Sequence, residues 1–374
     1  MRVRWVLEDG DRAGGVEAAT RSLVAGLSNR GHDAAVISWF AGKQTNCAAS
    51  PASWFAGKVS RARARAAAAA RLAESLRREL RDDPELVVLF DPGSLAVAKK
   101  MSGHPRWGIH LHWSPDLVLR PWRHVAGEGV PRILALLVCL RLRQVAMRNR
   151  RILLGAPFVV TLTPSHSRVL RRVRGNVVEL PNPARLSLTT RRPHLGAVSV
   201  GFLGRLSYEK GPDLFLAAAA RLSDHAELEW IIGGAGPEEE QLRRQADDVA
   251  ATVRLVGWVN DPQAFLSAVD VFVLPSRTEA LPLVLAEALA AGCHVVAADA
   301  GEGVGDVLED GRLGRVVPVG DVAALSDAVV TAAQDVRAGK RPDQAAVREL
   351  VRRHDPSSVL LKWETLLSSV TRRA

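Results

Sequence analysis

The chain has 374 residues, 47% of them apolar, and a formal charge of +10 at neutral pH, which is too long for one ordinary core and apolar enough for two. Its three cysteines (Cys47, Cys139, Cys293) are odd in number and far apart, which excludes a disulfide framework or zinc spacing and fits a reducing compartment. The longest apolar run, Ile133 to Leu140, stops at Arg141 and Arg143 and is too short to span a bilayer.

The first ten residues turn acidic before an apolar signal core can form and read as a first strand. Strands are predicted at Val3–Leu7, Ala34–Ser38, Leu86–Phe90, Trp107–Leu111, Phe158–Leu162 and Val177–Leu180, with helices between them at Val16–Asn29, Ser60–Arg81 and Ile133–Arg150. The proline-rich tract Pro181–Pro193 lacks apolar periodicity and reads as a linker. The alternation then restarts with strands at Val198–Leu203, Leu228–Ile232, Val253–Val256, Val271–Leu274, His294–Ala297 and Arg315–Pro318. After Asp321 the pattern is helical, and Ser357–Val370, with Trp363 on its apolar face, is long enough to return to the first domain. Such alternation implies an α/β protein with two doubly wound parallel sheets, whose ligands sit at the carboxyl ends of the strands. The predicted domains are 1–190, 191–355 and a closing helix over 356–374.

Motifs fall at those strand ends. Gly14-Gly15 opens the first helix, where backbone can approach an anion, although a plain turn uses the same residues. Ile109-His110-Leu111-His112 ends a strand with both histidines on one face and His112 at the tip; no further ligands lie near enough in sequence for a metal. Gly204-Arg205 and Lys210-Gly211 place two cations five residues apart after a strand, suited to a diphosphate and unlike a Walker A loop. Gly233-Gly234-Ala235-Gly236-Pro237 precedes three glutamates that disfavour phosphate, so a base or ribose edge fits better, with Trp258 able to flank it or to serve as core.

Pro275–Ala290 sets Glu279 in a loop and Glu287 on the helix that follows, with Pro282 expected in the first helical turn. The N–H groups of Leu283 and Val284 are expected to be free there, and with the helix dipole they can hold a phosphate between two hydroxyl-binding carboxylates. A sugar, a diphosphate and a ribose fit that pattern.

Together the Gly-Gly pair, the strand-tip His112, Pro181-Asn182, Gly204-Arg205 with Lys210-Gly211, Gly233–Pro237 and the Glu279-x7-Glu287 pair resemble the glycosyltransferase group 1 family. The resemblance implies the GT-B fold, two facing Rossmann-like domains with the acceptor on the first and a nucleotide sugar on the second. It implies a retaining, metal-independent glycosyltransferase of hexosyl type with no cofactor, and a UDP-sugar is favoured on family frequency, no residue selecting the base. Glu287 would bond the ribose, Glu279 the transferred sugar, and Arg205 and Lys210 the diphosphate. Backbone near Gly14, Gly15, Gly204, Gly234, Gly236, Leu281, Leu283 and Val284 would assist, Trp258 would flank the base, and His112 would lie beside the anomeric centre. The chain departs from the family at Glu279-Ala280-Leu281-Pro282, where Glu-Gly-Phe-Gly is common, and at the loosened Gly301–Asp306 stretch.

A sugar-nucleotide epimerase or hydrolase, or a non-catalytic nucleotide-sugar-binding subunit, would share this donor pattern; no Gly-x-Gly-x-x-Gly supports a dehydrogenase. Residues 1–190 carry 30 Lys+Arg against 14 Asp+Glu, while 191–374 carry 20 against 26. The basic first half, with Arg141, Arg143, Arg148, Arg150 and Arg151 in one stretch and Arg168, Arg171, Arg172 and Arg174 in the next, is either a solvated surface or the face for an anionic partner. The expected partners are the nucleotide sugar and a small-molecule, glycan or lipid-linked acceptor, without nucleic acid. The expected location is the cytoplasm, with peripheral contact at the inner membrane face through the basic half as the alternative to a fully soluble acceptor.

Overall fold

The computed structural model describes residues 1–8, 15–39, 51–101, 103–112, 132–189, 196–249 and 253–372, the side chains of 15, 51–63 and 132–143 apart. Two compact units divide it: Met1–Pro183 with Pro356–Ala374, and Ala184–Asp355. The division lies inside the Pro181–Pro193 tract, a few residues before position 190.

In the first unit, strands β1 (Arg2–Leu7), β2 (Asp33–Ser38), β3 (Leu86–Phe90), β4 (Trp107–Leu111), β5 (Phe158–Thr161) and β6 (Val177–Glu179) form one parallel sheet in the order β2-β1-β3-β4-β5-β6. β3 and β4 are buried along their whole length, because helices cover both faces and a central parallel strand has no solvent side. The helix Pro51–Asp82 starts well before the predicted Ser60, with Pro51 as its first residue, where a missing N–H costs nothing.

The closing helix Pro356–Arg372 belongs to this unit. Trp363 is fully buried and meets Trp5 edge-on at 5.5 Å. Gly26 leaves room for Leu360, whose Cδ1 would lie 2.8 Å from a Cβ there. Glu364 takes a bidentate bond from Arg30 at 2.8 and 2.9 Å and a third from His32 at 2.9 Å; the guanidinium above all holds its carboxyl down at about 2.

The second unit holds β7 (Val198–Leu203), β8 (Leu228–Gly233), β9 (Val253–Gly257), β10 (Val271–Leu274), β11 (His294–Ala298) and β12 (Arg315–Val317), all parallel, in the order β12-β11-β10-β7-β8-β9. The chain winds outward from β7 through β8 and β9, then returns to the other side of β7 at β10. The strand order therefore reverses between β7 and β10, and ligands of doubly wound sheets bind outside the carboxyl ends of such a pair. Two apolar layers, one including Phe215 and Trp230 and the other Phe272 and Leu289, cover its faces. The predicted all-helical ending is three helices, Val322–Arg337, Gln344–Arg353 and Pro356–Arg372, the first two capped by the carboxylates of Asp321 and Asp343. Among the described residues no helix is long and apolar enough to cross a membrane.

Candidate active site

The loops that leave β7 and β10 at the reversal point meet through charged groups. Lys210 Nζ donates to Glu279 Oε1 at 2.6 Å, and Ser276 Oγ donates to the same oxygen at 2.8 Å. Glu279 is 7% exposed, and its Oε2 has no hydrogen-bond partner among the described residues. That oxygen is left to accept from the hydroxyl of a ligand or from water. Arg205 is exposed on the same β7 loop and forms no ion pair or side-chain hydrogen bond among the described residues.

Arg277, which sequence reasoning did not select, fixes this geometry. Its guanidinium grips Asp213 at 2.8 and 2.7 Å, donates to Tyr208 O at 2.8 Å and lies 4.0 Å from the Tyr208 ring centroid, while its backbone N–H donates to Glu209 O at 2.8 Å. The Lys210 turn is thereby tied to the loop carrying Glu279. Gly211 sits at φ 67°, where a Cβ would overlap Pro275 O, so the two loops meet backbone to backbone.

The helix that follows is Leu283–Ala290, with Pro282 just before it rather than in its first turn. The Leu283 N–H is not free: it donates to Leu281 O at 3.0 Å, because the chain folds into a tight turn ahead of the helix. The Val284 N–H at this start makes no backbone hydrogen bond outside its helix among the described residues. The side chains of Leu281 and Val284 pack against the core, which leaves their backbone for a ligand. Glu287 lies on the helix, half-buried, with its carboxyl raised by that burial and without a side-chain hydrogen bond or ion pair among the described residues. Hydroxyl donors from a ligand would offset its desolvation.

The glycine-rich turn after β8 runs beside the β7 loop: Gly204 N–H donates to Gly233 O at 3.1 Å and Leu206 N–H to Ala235 O at 3.0 Å. A Cβ on Gly234 would overlap Gly204 O, and one on Gly236 would overlap Leu206 O. Close packing between the loops thus demands these two glycines, without need of a ligand. Gly204 itself has room, the nearest atom to a Cβ being Phe202 Cζ at 3.5 Å. Trp258 is no core residue: it is 70% exposed, beside Gly257, whose carbonyl accepts from Gly234 N–H at 2.7 Å. The loosened stretch Gly301–Asp306 begins a helix, Glu302–Leu308, against which the Glu279 loop is pinned by Glu279 N–H to Ala300 O at 2.8 Å.

In the first unit His112 ends β4, 4% exposed, its ring 3.9 Å from that of His110 and its Nε2 3.5 Å from Thr20 Oγ1. Burial lowers its pKa to about 4, so the ring is neutral at pH 7, and its Nδ1 has no partner among the described residues. Gly14 lies outside the described residues, and Gly15 is the first residue of the helix Gly15–Asn29. Among the described residues no three His, Cys, Asp or Glu side chains cluster in a way that could hold a metal ion.

The second unit also carries a family signature. The model of the family "Glycosyl transferases group 1" matches residues 197–335, from the start of β7 through the helix after β12. Over this stretch the second unit is similar to the group 1 glycosyltransferases. Phosphatidyl-myo-inositol mannosyltransferase of Mycobacterium leprae is 32% identical over 240 residues, 57% of this chain and 63% of that protein, so the match spans less than two thirds of its relative. Among solved structures, sucrose-phosphate synthase from Thermosynechococcus elongatus superposes with a TM-score of 0.75 at 17% identity over 100% of both chains. The Anabaena protein HepE, in complex with UDP, gives a TM-score of 0.70 at 19% identity over 99% of this chain and 100% of its own. These structures share their fold with this chain, GT-B, two Rossmann-like units with a closing helix on the first.

Proposed function

We propose that this protein is a retaining glycosyltransferase that moves a hexosyl group from a nucleoside-diphosphate sugar to an acceptor hydroxyl without a metal ion. The observation that carries the reading is the Lys210–Glu279–Ser276 cluster at the strand-order reversal, with Arg205 exposed on the same β7 loop. The anomeric carbon–oxygen bond breaks, and its electron pair goes to the departing diphosphate, whose charge Arg205 and Lys210 stabilise. The acceptor oxygen bonds to the anomeric carbon from the same face and gives its proton to an oxygen of the leaving phosphate. Glu279 Oε2 accepts from hydroxyls of the transferred sugar, and Glu287 accepts from the ribose.

UDP is the favoured leaving group, since the solved relative HepE holds UDP and the exposed Trp258 offers a face for a base. The acceptor, a small molecule, a glycan or a lipid-linked sugar, falls to the first unit, and the reaction belongs in the cytoplasm. The test is release of UDP from a panel of UDP-sugars. Release that requires an added acceptor and survives EDTA supports the proposal, whereas release without acceptor marks a hydrolase, and loss in EDTA ends the metal-independent mechanism.

A further inference from the structure

The first unit has a cavity at the edge of its sheet opposite the carboxyl ends of the strands. It is open, about 370 Å³ in volume, and lined by Lys99, Trp107, Gln144, Arg148, Arg151 and Ile152 among others, with no carboxylate among the described residues of its wall. Trp107 opens β4 and Gly155 closes the helix Arg132–Gly155 before β5, so the cavity lies at the amino ends of these strands. His112 is five strand residues away, roughly 16 Å.

Gln144, Arg148 and Arg151 fall on one face of that helix by their spacing. The two arginines are like charges one turn apart, a destabilising arrangement, and neither forms an ion pair or hydrogen bond among the described residues. The helix end is served by another cation: Arg174 donates to Leu153 O, to Ala156 O at 2.6 Å and to Pro157 O at 3.4 Å, one carbonyl of the last turn and two just beyond it. The indole N–H of Trp107 is buried without an acceptor among the described residues, a group that native interiors rarely leave unmet. Apolar surface borders the cations: Met147 is 59% exposed and lines the cavity, and Leu154 is 42% exposed on the same helix.

We propose that this cavity binds a phosphate-bearing group, separately from the donor site. Arg148 and Arg151 take the phosphate oxygens with Lys99 opposite, the Trp107 N–H and the Gln144 amide add donors, and Met147 accommodates the apolar part of the ligand. A guanidinium pair matches a phosphate in charge and in donor geometry, and the volume is that of a small-molecule site. The same chemistry is presented by a phospholipid headgroup and by a soluble phosphomonoester.

Calorimetric titration with glycerol 3-phosphate, and flotation with vesicles of phosphatidylglycerol in phosphatidylcholine against phosphatidylcholine alone, separate the two sources. The proteins compared are wild type, Arg148→Gln/Arg151→Gln, Lys99→Gln and Trp107→Phe, with circular dichroism melting as the check on folding. The proposal predicts binding of at least one probe by wild type, about a hundredfold weaker in the arginine pair variant and about tenfold weaker in Lys99→Gln and in Trp107→Phe. Glycerol 3-phosphate binding that depends on the arginines identifies a soluble ligand; arginine-dependent flotation without it identifies a headgroup. Wild type that binds neither probe, or binding that survives in the arginine pair variant and so belongs to another anion site such as Arg205 and Lys210, overturns the proposal.

Discussion

Glu279 is buried and Glu287 half-buried, each in a different setting, and this separates their expected roles. Glu279 has its Oε1 taken by Lys210 and Ser276, so the pair positions each other and leaves Oε2 for a sugar. Glu287 has no such partner, and burial alone raises its carboxyl. Glu287→Ala should weaken UDP binding by about tenfold or more, as loss of charge-assisted hydrogen bonds does. Glu279→Ala should leave UDP binding within a few-fold and instead blur discrimination among UDP-sugars. Titration of both variants with UDP and UDP-glucose checks this; an equal loss of UDP affinity in both contradicts the assignment. His112 carries a pH signature. Its folded pKa is about 4 against about 6.5 unfolded, so the unfolded chain takes up the proton first as pH falls. Stability is full above about 6.5 and declines toward 4, by on the order of 3 kcal/mol across the window. Urea unfolding at several pH values should show a shallower acid decline in His112→Phe, and an unchanged slope would place the ring in solvent.

Arg277 acts between elements, joining the turn after β7 to the loop after β10, and its bidentate grip on Asp213 is a geometry a lysine cannot reproduce. Arg277→Lys should lower kcat/KM by about tenfold with little change in melting temperature, through looser placement of Lys210. An unaltered kcat/KM would reduce the clamp to surface packing. The central strands were legible in the sequence because a parallel strand covered on both faces reads as an unbroken apolar run, as in Val271–Leu274. Lys210 and Glu279 were legible as a site because each follows such a strand. Arg277 was not, since its importance lies in Asp213, 64 residues away, and sequence spacing carries no signal of that contact. The capture of the Leu283 N–H by Leu281 O was equally hidden, for it depends on how the chain turns before the helix. Gly234 and Gly236 were visible as necessary glycines, but only the neighbouring loop shows that backbone packing demands them.

At the scale of the whole molecule, two units with separate cores need not unfold together. Calorimetry should resolve unfolding steps that UDP shifts unequally, because a ligand held by the second unit stabilises that unit, by about 2.7 kcal/mol at a hundred times its dissociation constant. Equal shifts in every step would mean that the units are coupled more tightly than their separate cores imply. The positive charge gathered in residues 1–190 gives the first unit an attraction for anions that the second lacks. Chemistry on a diphosphate is assigned to the second unit through a few cations, not through net charge.

That assignment is most directly tested by the turnover of Arg205→Ala and Lys210→Ala with the best UDP-sugar and acceptor from the panel, both saturating. Each cation stabilises charge that grows as the diphosphate departs, so each variant should lose about a hundredfold or more in kcat while its melting temperature stays near that of the parent. Near-parental kcat in both variants would contradict the account.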